Sequence, residues 1–313
     1  MLNGSIRFNL LLALPALILT ILLVVFTASL SSSFLSSANL ANLTNRVLPL
    51  GMVALGEAIV LMAGRIDLSV GTIMSLATAI MALTVSSIGW LAIPLAMLAG
   101  VGAGLFTAAG VILLRINPLV MSLATAAIVK GVTLLLLPKP GGQVSYDFYA
   151  LLFEGESPLG VPLLIVILVY GAFILLAGWT RFGRSIYAAG SDPRAAFAHG
   201  VSSARVDLQV YALSGALAAL AGVFLSIRIL SGDPLIGDAY TLDAVSAAIL
   251  GGIALKGGRG NLIGVLLAVI SLVLINNTFN LLQLDTNLQA IAKGLIFVAA
   301  LVFFMRGKAG DAD

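Results

Sequence analysis

The sequence predicts an all-α, polytopic membrane protein, and three observations carry that reading. Hydrophobic residues fill 60% of the 313 positions, charged residues only 9%, and the mean hydropathy is +1.15. A water-soluble domain of this length needs far more charge to cover its surface. The apolar residues fall in blocks of about 20, the number a helix needs to cross about 30 Å of hydrocarbon. Strand-period alternation is missing, which speaks against a membrane barrel.

Taken in order, the blocks are 8–30, 46–63, 68–86, 90–113, 118–137, 161–178, 206–229, 240–255, 261–281 and 287–305, about ten transmembrane helices in one domain over 1–313. Arg7 precedes the first block as in a signal peptide, but Phe8 to Leu30 is longer than a signal core and reads as a retained span. The eighth block is short for a crossing and lies among Gly251, Gly252, Gly257 and Gly258. A kinked or partly re-entrant segment is the alternative there. Four-helix groups at 46–137 and 206–305 start on opposite sides of the membrane, the arrangement of inverted halves. That pattern rests on hydropathy alone, with no residue-level match between the groups. Small residues four apart, Gly100 with Gly104 and Gly260 with Gly264, and the line Ser214, Ala218, Gly222, predict close helix packing.

Sidedness follows from the basic residues. With the N-terminus in the cytoplasm, Arg7, Arg65, Arg115, Arg181, Arg184, Arg194, Arg205, Lys256, Arg259, Arg306 and Lys308 fall inside. Arg46, Lys130, Lys139, Arg228 and Lys293 fall outside or within spans. Both termini are therefore expected to be cytoplasmic. The net charge is only +3, so the pI near 9.3 reflects scarce acids and does not suggest nucleic-acid binding. The chain has no cysteine, which removes disulfides and thiolate chemistry.

Two polar segments interrupt the spans. Residues 138–160 form an outer loop with Asp147, Glu154 and Glu156, and residues 179–205 form a cytoplasmic loop with four arginines. Within the latter, "SDPRAAFAHG" at 191–200 is punctuated as a helix of less than two turns. Asp192 suits the N-cap, Pro193 the first turn and Gly200 the stop. Local chemistry alone makes it a surface helix on the headgroups, with His199 near its C-terminal end, favourable to the dipole.

Catalytic candidates are scarce. One histidine cannot form a metal cluster, and no serine or threonine sits in a nucleophile elbow. "GGRGN" at 257–261 lacks the Lys-Ser/Thr ending of a phosphate-binding loop, so the chain is not expected to bind ATP or any cofactor itself. Lys130 and Lys293 lie near outer ends and can snorkel, and no acid is placed at the centre of a span. This disfavours a proton-driven carrier and assigns energy supply to a partner.

Two stretches are more distinctive. In "GEAIVLMAGRIDLSVGTIMSLATAIMAL" (56–83) a helix ends near Gly64, Asp67 can cap the next, Ser69 lies in its first turn, and Gly71 allows close packing. This is either a tight interhelical turn, the simpler reading, or a broken helix whose backbone borders a pathway. Further on, Asn276, Asn277 and Asn280 sit inside an apolar span, where buried amides need partners. Pairing between helices is favoured over contact with a solute.

These residues resemble the permease subunits of bacterial ATP-binding cassette importers for sugars, the ribose/xylose/autoinducer-2 group. The family's Gly-Gly-Ile-Asp-Leu-Ser-Val-Gly signature is matched by Arg65–Gly71, with Arg65 in place of a glycine. Its GR-x-I-Y-A-x-G and P-x-A-A-x-x-x-G-V stretches are matched at Gly183–Gly190 and Pro193–Val201. Its glycine-rich C-terminal segment, Asn-Asn pair and closing Lys-Gly are matched at Leu250–Gly264, Asn276–Asn277 and Lys293–Gly294. The matches run in order from about residue 46 to 305.

The resemblance implies a fold like the vitamin B12 importer core, with two permease copies or paralogues around a pathway. It also implies two ATPase subunits holding ATP and magnesium, an outer substrate-binding protein, and residence in the bacterial inner membrane. Asp192, Pro193, Arg194, Ala195, Ala196, Phe197, His199 and Gly200 then form the ATPase-coupling helix, with Phe197 as anchor. Asp67, Ser69, Gly71, Asn276 and Asn277 become signature and pathway candidates. Arg65 is expected to pair with Asp67 or Glu57, or to face the headgroups. The alternatives are a related permease for branched-chain amino acids or nucleosides, a stand-alone carrier or channel, and, more distantly, a membrane enzyme.

Overall fold

The apolar blocks fold as helices in a computed structural model, which describes residues 10–154 and 160–283 and the helical positions 288, 291, 294 and 295. In chain order these are α1 (Leu10–Leu30), α2 (Ser37–Met62), α3 (Val70–Ile88), α4 (Ala92–Leu113), α5 (Pro118–Leu136), α6 (Tyr146–Phe153) and α7 (Val161–Trp179). They continue with α8 (Arg181–Ser191), α9 (Pro193–Ala198), α10 (Ser203–Ile229), α11 (Asp238–Leu250) and α12 (Leu262–Leu281). The expected span 287–305, with Lys293, Arg306 and Lys308, lies outside the described residues apart from the helical positions above, as do Arg7 and Glu156.

Among the described residues, seven stretches are long and apolar enough to cross a membrane, where the sequence suggested ten over the whole chain. One is the 44-residue run Val70–Leu113, which holds both α3 and α4 around a short 3-10 turn at Gly89–Leu91. The eighth expected span is a 13-residue helix, α11, about 20 Å long and too short to count. The chain is a multi-pass membrane protein.

The second helix corrects the sequence reading at its start. It begins at Ser37, nine residues before the apolar block, because its polar residues find partners. Ser36 accepts from the Asn39 N–H, Arg46 Nε donates to Asn42, and Asn39 pairs with Asn277 of α12.

From Val47 to Met62 every residue of α2 is buried, as a helix apolar on all sides must be. α10 packs most extensively on α4, and then on α2 and α3; α12 packs on α1 and α2. Glycines set the closeness of these crossings. A Cβ on Gly100 would overlap Gly215 and Ala219, and one on Gly104 would overlap Tyr211. The expected small-residue line on α10 also meets neighbours, Ser214 against Gly56 and Gly222 against Met74. Peripheral helices turn large apolar side chains outward, among them Leu98 on α4 and Leu135 on α5. The bundle end that carries α6 is called upper here, and the end that carries α8 and α9 lower.

Candidate functional site

Two helices of this bundle do not begin at its ends. After α2 stops at Met62, Gly64 takes a left-handed backbone (φ +75°) and the chain leaves the helix until Ser69, lying beside α10. Three α10 residues on one face, at spacing i, i+4 and i+7, hold it there. Asp207 pairs with Arg65: Nη2 donates to Oδ2 at 3.2 Å, while Nε lies 3.0 Å from Oδ1 with its N–H off the line, an electrostatic contact only. The Tyr211 hydroxyl donates to the Ile66 carbonyl at 3.3 Å. The Ser214 hydroxyl donates to Asp67 Oδ2 at 2.9 Å. Ser214 lies near the middle of α10, so α3 starts well inside the bundle.

Asp67 therefore does not cap α3 as expected. Its Oδ1 instead accepts the backbone N–H and the hydroxyl of Ser69, at 3.0 and 2.5 Å, and holds the turn that leads into α3. Ser69 becomes the residue before α3 and makes no side-chain cap. The carboxylate is fully buried with three donors, which offsets its loss of water. Arg65 takes none of the expected partners, because Asp67 is already satisfied and Asp207 faces it one helical turn into α10. The residues between α2 and α3, 63–69, are held along α10 and supply no side-chain cap to α3.

The sequence reading placed no acid at the centre of a span and passed over one inside α2, towards its lower end. Glu57 is fully buried inside α2. Its Oε1 accepts from the Asp67 N–H at 3.4 Å, and Oε2 has no partner among the described residues.

The second break repeats the first. Leu230 is left-handed (φ 55°), and Ser231–Gly237 runs down beside α3 to the start of α11. Thr78 Oγ1 donates to the Asp233 carbonyl and accepts its N–H, Asp233 Oδ1 accepts from the Leu235 N–H, and the Gly237 N–H donates to Ser75 Oγ. One constant shift in numbering carries Gly64 onto Leu230, Asp67 onto Asp233, Gly71 onto Gly237 and Ser75 onto Thr241. The contact between the breaks is reciprocal under that shift. A Cβ on Gly71 would overlap Thr241 and the Gly237 carbonyl, and one on Gly237 would overlap the Gly71 carbonyl and crowd Ser75. The two breaks thus match each other under one shift, a correspondence that hydropathy did not reveal.

At the lower end, α9 has the anticipated punctuation. Asp192 Oδ1 accepts from the Arg194 and Ala195 N–H groups at 2.9 and 3.1 Å, Pro193 opens the helix, His199 closes it and Gly200 is left-handed (φ +80°). Ala196 turns inward, and Phe197 stands 75% exposed. Unforeseen was α8 directly before it, capped by Thr180.

Asn277 and Asn39 exchange amide bonds at 2.7 and 3.3 Å, joining α12 to α2, while Asn276 is half-buried beside them in sequence. Lys130 Nζ bonds Asp238 at 2.6 Å, at the start of α11, and both side chains are partly exposed. Among the described residues no three His, Cys, Asp or Glu groups converge as a metal site.

The sequence matches known transport proteins over most of its length. A family model described as "Branched-chain amino acid transport system / permease component" matches residues 39–301. The chain is 35% identical over 295 residues to the ribose import permease protein of Bacillus subtilis (strain 168), covering 90% of this chain and 89% of that protein. It is 32% identical over 301 residues to the ribose import permease protein of Escherichia coli (strain K12), with 92% of each chain covered. It is also 32% identical over 274 residues to the L-arabinose transport system permease protein of that strain, covering 87% and 84%. No solved structure matches.

Proposed function

The chain belongs to the branched-chain amino acid transport system / permease component family, and on that footing we propose that it is the permease subunit of an ATP-driven importer for a small neutral sugar. The observation that carries this reading is the similarity, over about nine-tenths of the chain, to permeases named for ribose and arabinose. Its role is that of a transport subunit, with no covalent chemistry of its own.

In this reading ten membrane-crossing elements arise from α1–α5, α7, α10, α12, the block 287–305, and α11 taken together with its lead-in Ser231–Gly237, arranged as in the vitamin B12 importer core. The excess of basic residues at the lower end supports a cytoplasmic lower end and cytoplasmic termini. Two permease copies or paralogues enclose the pathway, a binding protein delivers the sugar at the upper end, and two ATPase subunits holding ATP and magnesium dock below.

α9 is the coupling helix, with Phe197 seated in the ATPase and Asp192, Pro193 and Gly200 fixing its ends. Arg194, Ala195 and His199 complete its outer face. ATP-driven closure moves α9, and the bundle alternates between outward- and inward-facing states. The two breaks are the segments that yield, and Asp67, Ser69 and Gly71 border the pathway there. Asn276 and Asn277 sit where α12 meets α2. Tight sugar binding in the pore would slow release, so selectivity belongs to the binding protein.

The test is uptake of labelled ribose, arabinose and allose into proteoliposomes holding the permease with its ATPase and binding protein. ATP-dependent sugar uptake is expected. Uptake without ATPase would make the chain a carrier. The family description favours one second reading, a branched-chain amino acid importer, and saturating leucine or isoleucine in the same assay decides between them.

A further inference from the structure

The turn between α11 and α12 takes part in a close three-way crossing at the lower end. Gly257 and Gly258 are left-handed (φ +80° and +72°), which lets bare backbone press on two other segments. The Gly258 N–H donates to the Met62 carbonyl at 2.8 Å, at the end of α2. A Cβ on Gly257 would come within 2.6 Å of Gly64 and 3.0 Å of Gly190, and one on Gly258 within 2.7 Å of the Ser191 backbone. The Tyr187 hydroxyl of α8 donates to the Gly260 carbonyl at 3.2 Å, and burial raises this phenol above its ordinary pKa, so it remains a donor. Within the turn, the Gly257 N–H bonds Ala254 and the Ala254 N–H bonds Arg259.

The turn is thus fixed from behind by backbone, while its side chains stand in the open. Leu255 is 47% exposed, and Lys256 and Arg259 are exposed. They extend a surface that α8 and α9 begin with Arg181, Arg184, Arg194 and Phe197, all exposed. Asp192, the acid on this face, has its Oδ1 committed to capping α9. The combined surface is basic with two apolar points, and it complements an acidic protein face.

We propose that the turn Ala254–Gly260 is a second docking element for the ATPase, in which Leu255, Lys256 and Arg259 engage an acidic, partly apolar patch beside the site that receives α9. This rests on the coupling reading of α9 and extends it. Anionic headgroups would gather on any basic surface and require no fixed backbone behind it. Here the backing leads inward by two routes. Through Met62 and Gly64 the turn touches the first break, and through α11 it reaches Gly237 and the contact with Gly71. A partner that moves the turn therefore acts on both breaks.

The absence of cysteine makes the test direct. Single variants Lys256→Cys, Phe197→Cys and, at the upper end, Lys139→Cys are labelled with a maleimide–benzophenone probe in the assembled complex and irradiated. An adduct joining permease and ATPase is expected from positions 256 and 197 and not from 139. No ATPase adduct from 256, or adducts with lipid alone, overturns the proposal, as does an equal adduct from 139. A surviving adduct from 197 would then leave the α9 reading standing, and its loss would remove that reading too. In parallel, Lys256→Glu with Arg259→Glu is expected to weaken ATPase association about tenfold at low salt and less at high salt. Unchanged association at low salt also overturns it.

Discussion

At Arg65 one charge decides how the first break is held. Its guanidinium has 21% side-chain exposure and that of Asp207 is 7%, so the pair is partly shielded. Breaking a fully buried pair costs about 3–5 kcal/mol. Asp207→Ala is therefore expected to cost about 2 kcal/mol, read as a lowered melting temperature of the purified permease. A cycle with Arg65→Gln is expected to show about 1 kcal/mol of coupling, and additive effects would remove the tie. Ser214→Ala strips one donor from the buried Asp67 carboxylate and is expected to cost about 1 kcal/mol, again by melting. The spacing of Asp207, Tyr211 and Ser214 was legible in the sequence as one helix face. Their partners were not, because Arg65 is 142 residues away from Asp207 and its nearer acids offered themselves first.

Among the elements, α9 was the most legible. Its caps are local chemistry, and each was met by the residue expected to make it. Because Phe197 is exposed, Phe197→Asp is expected to leave the melting temperature unchanged. It should weaken ATPase co-purification about thirtyfold, the loss of an anchor worth about 2 kcal/mol. Normal association and normal sugar uptake would end the coupling assignment. The start of α2 was not legible, because Asn39, Asn42 and Arg46 break the hydropathy pattern and their partners lie one helical turn or one helix away. The first break was legible as an alternative only and the second was not read, because hydropathy does not distinguish a helix from a non-helical run of the same residues. Gly71→Ala and Gly237→Ala are expected to lower stability and uptake alike, since each methyl meets the other break. Gly102→Ala faces open space and is expected to be neutral or to stabilise by up to about 1 kcal/mol. A tolerated Gly71→Ala would show that the breaks are looser than their geometry.

For the whole molecule, the hydropathy pattern located the long helices within a few residues, the start of α2 excepted, because burial in lipid constrains composition over 20 positions at a time. It missed Glu57 and the mid-bundle helix starts, which depend on single side chains. Sidedness comes from charge bias and is open to measurement. A membrane-impermeant maleimide is expected to label Lys139→Cys in intact spheroplasts and Arg115→Cys only after permeabilisation. The reverse pattern would invert the bundle and with it the assignment of α9. The seam between Gly64–Ser69 and α10 has a further consequence, for rate. It is sewn by three separate stitches, at Asp207, Tyr211 and Ser214, and stitches can be unpicked in succession. Each hydroxyl stitch is worth about 1 kcal/mol and the ion pair about twice that, so no single step faces the whole sum. Two helix faces interlocked along their length would have to part together. This bundle has a place where it can be unzipped slowly and cheaply, and rezipped in the same order.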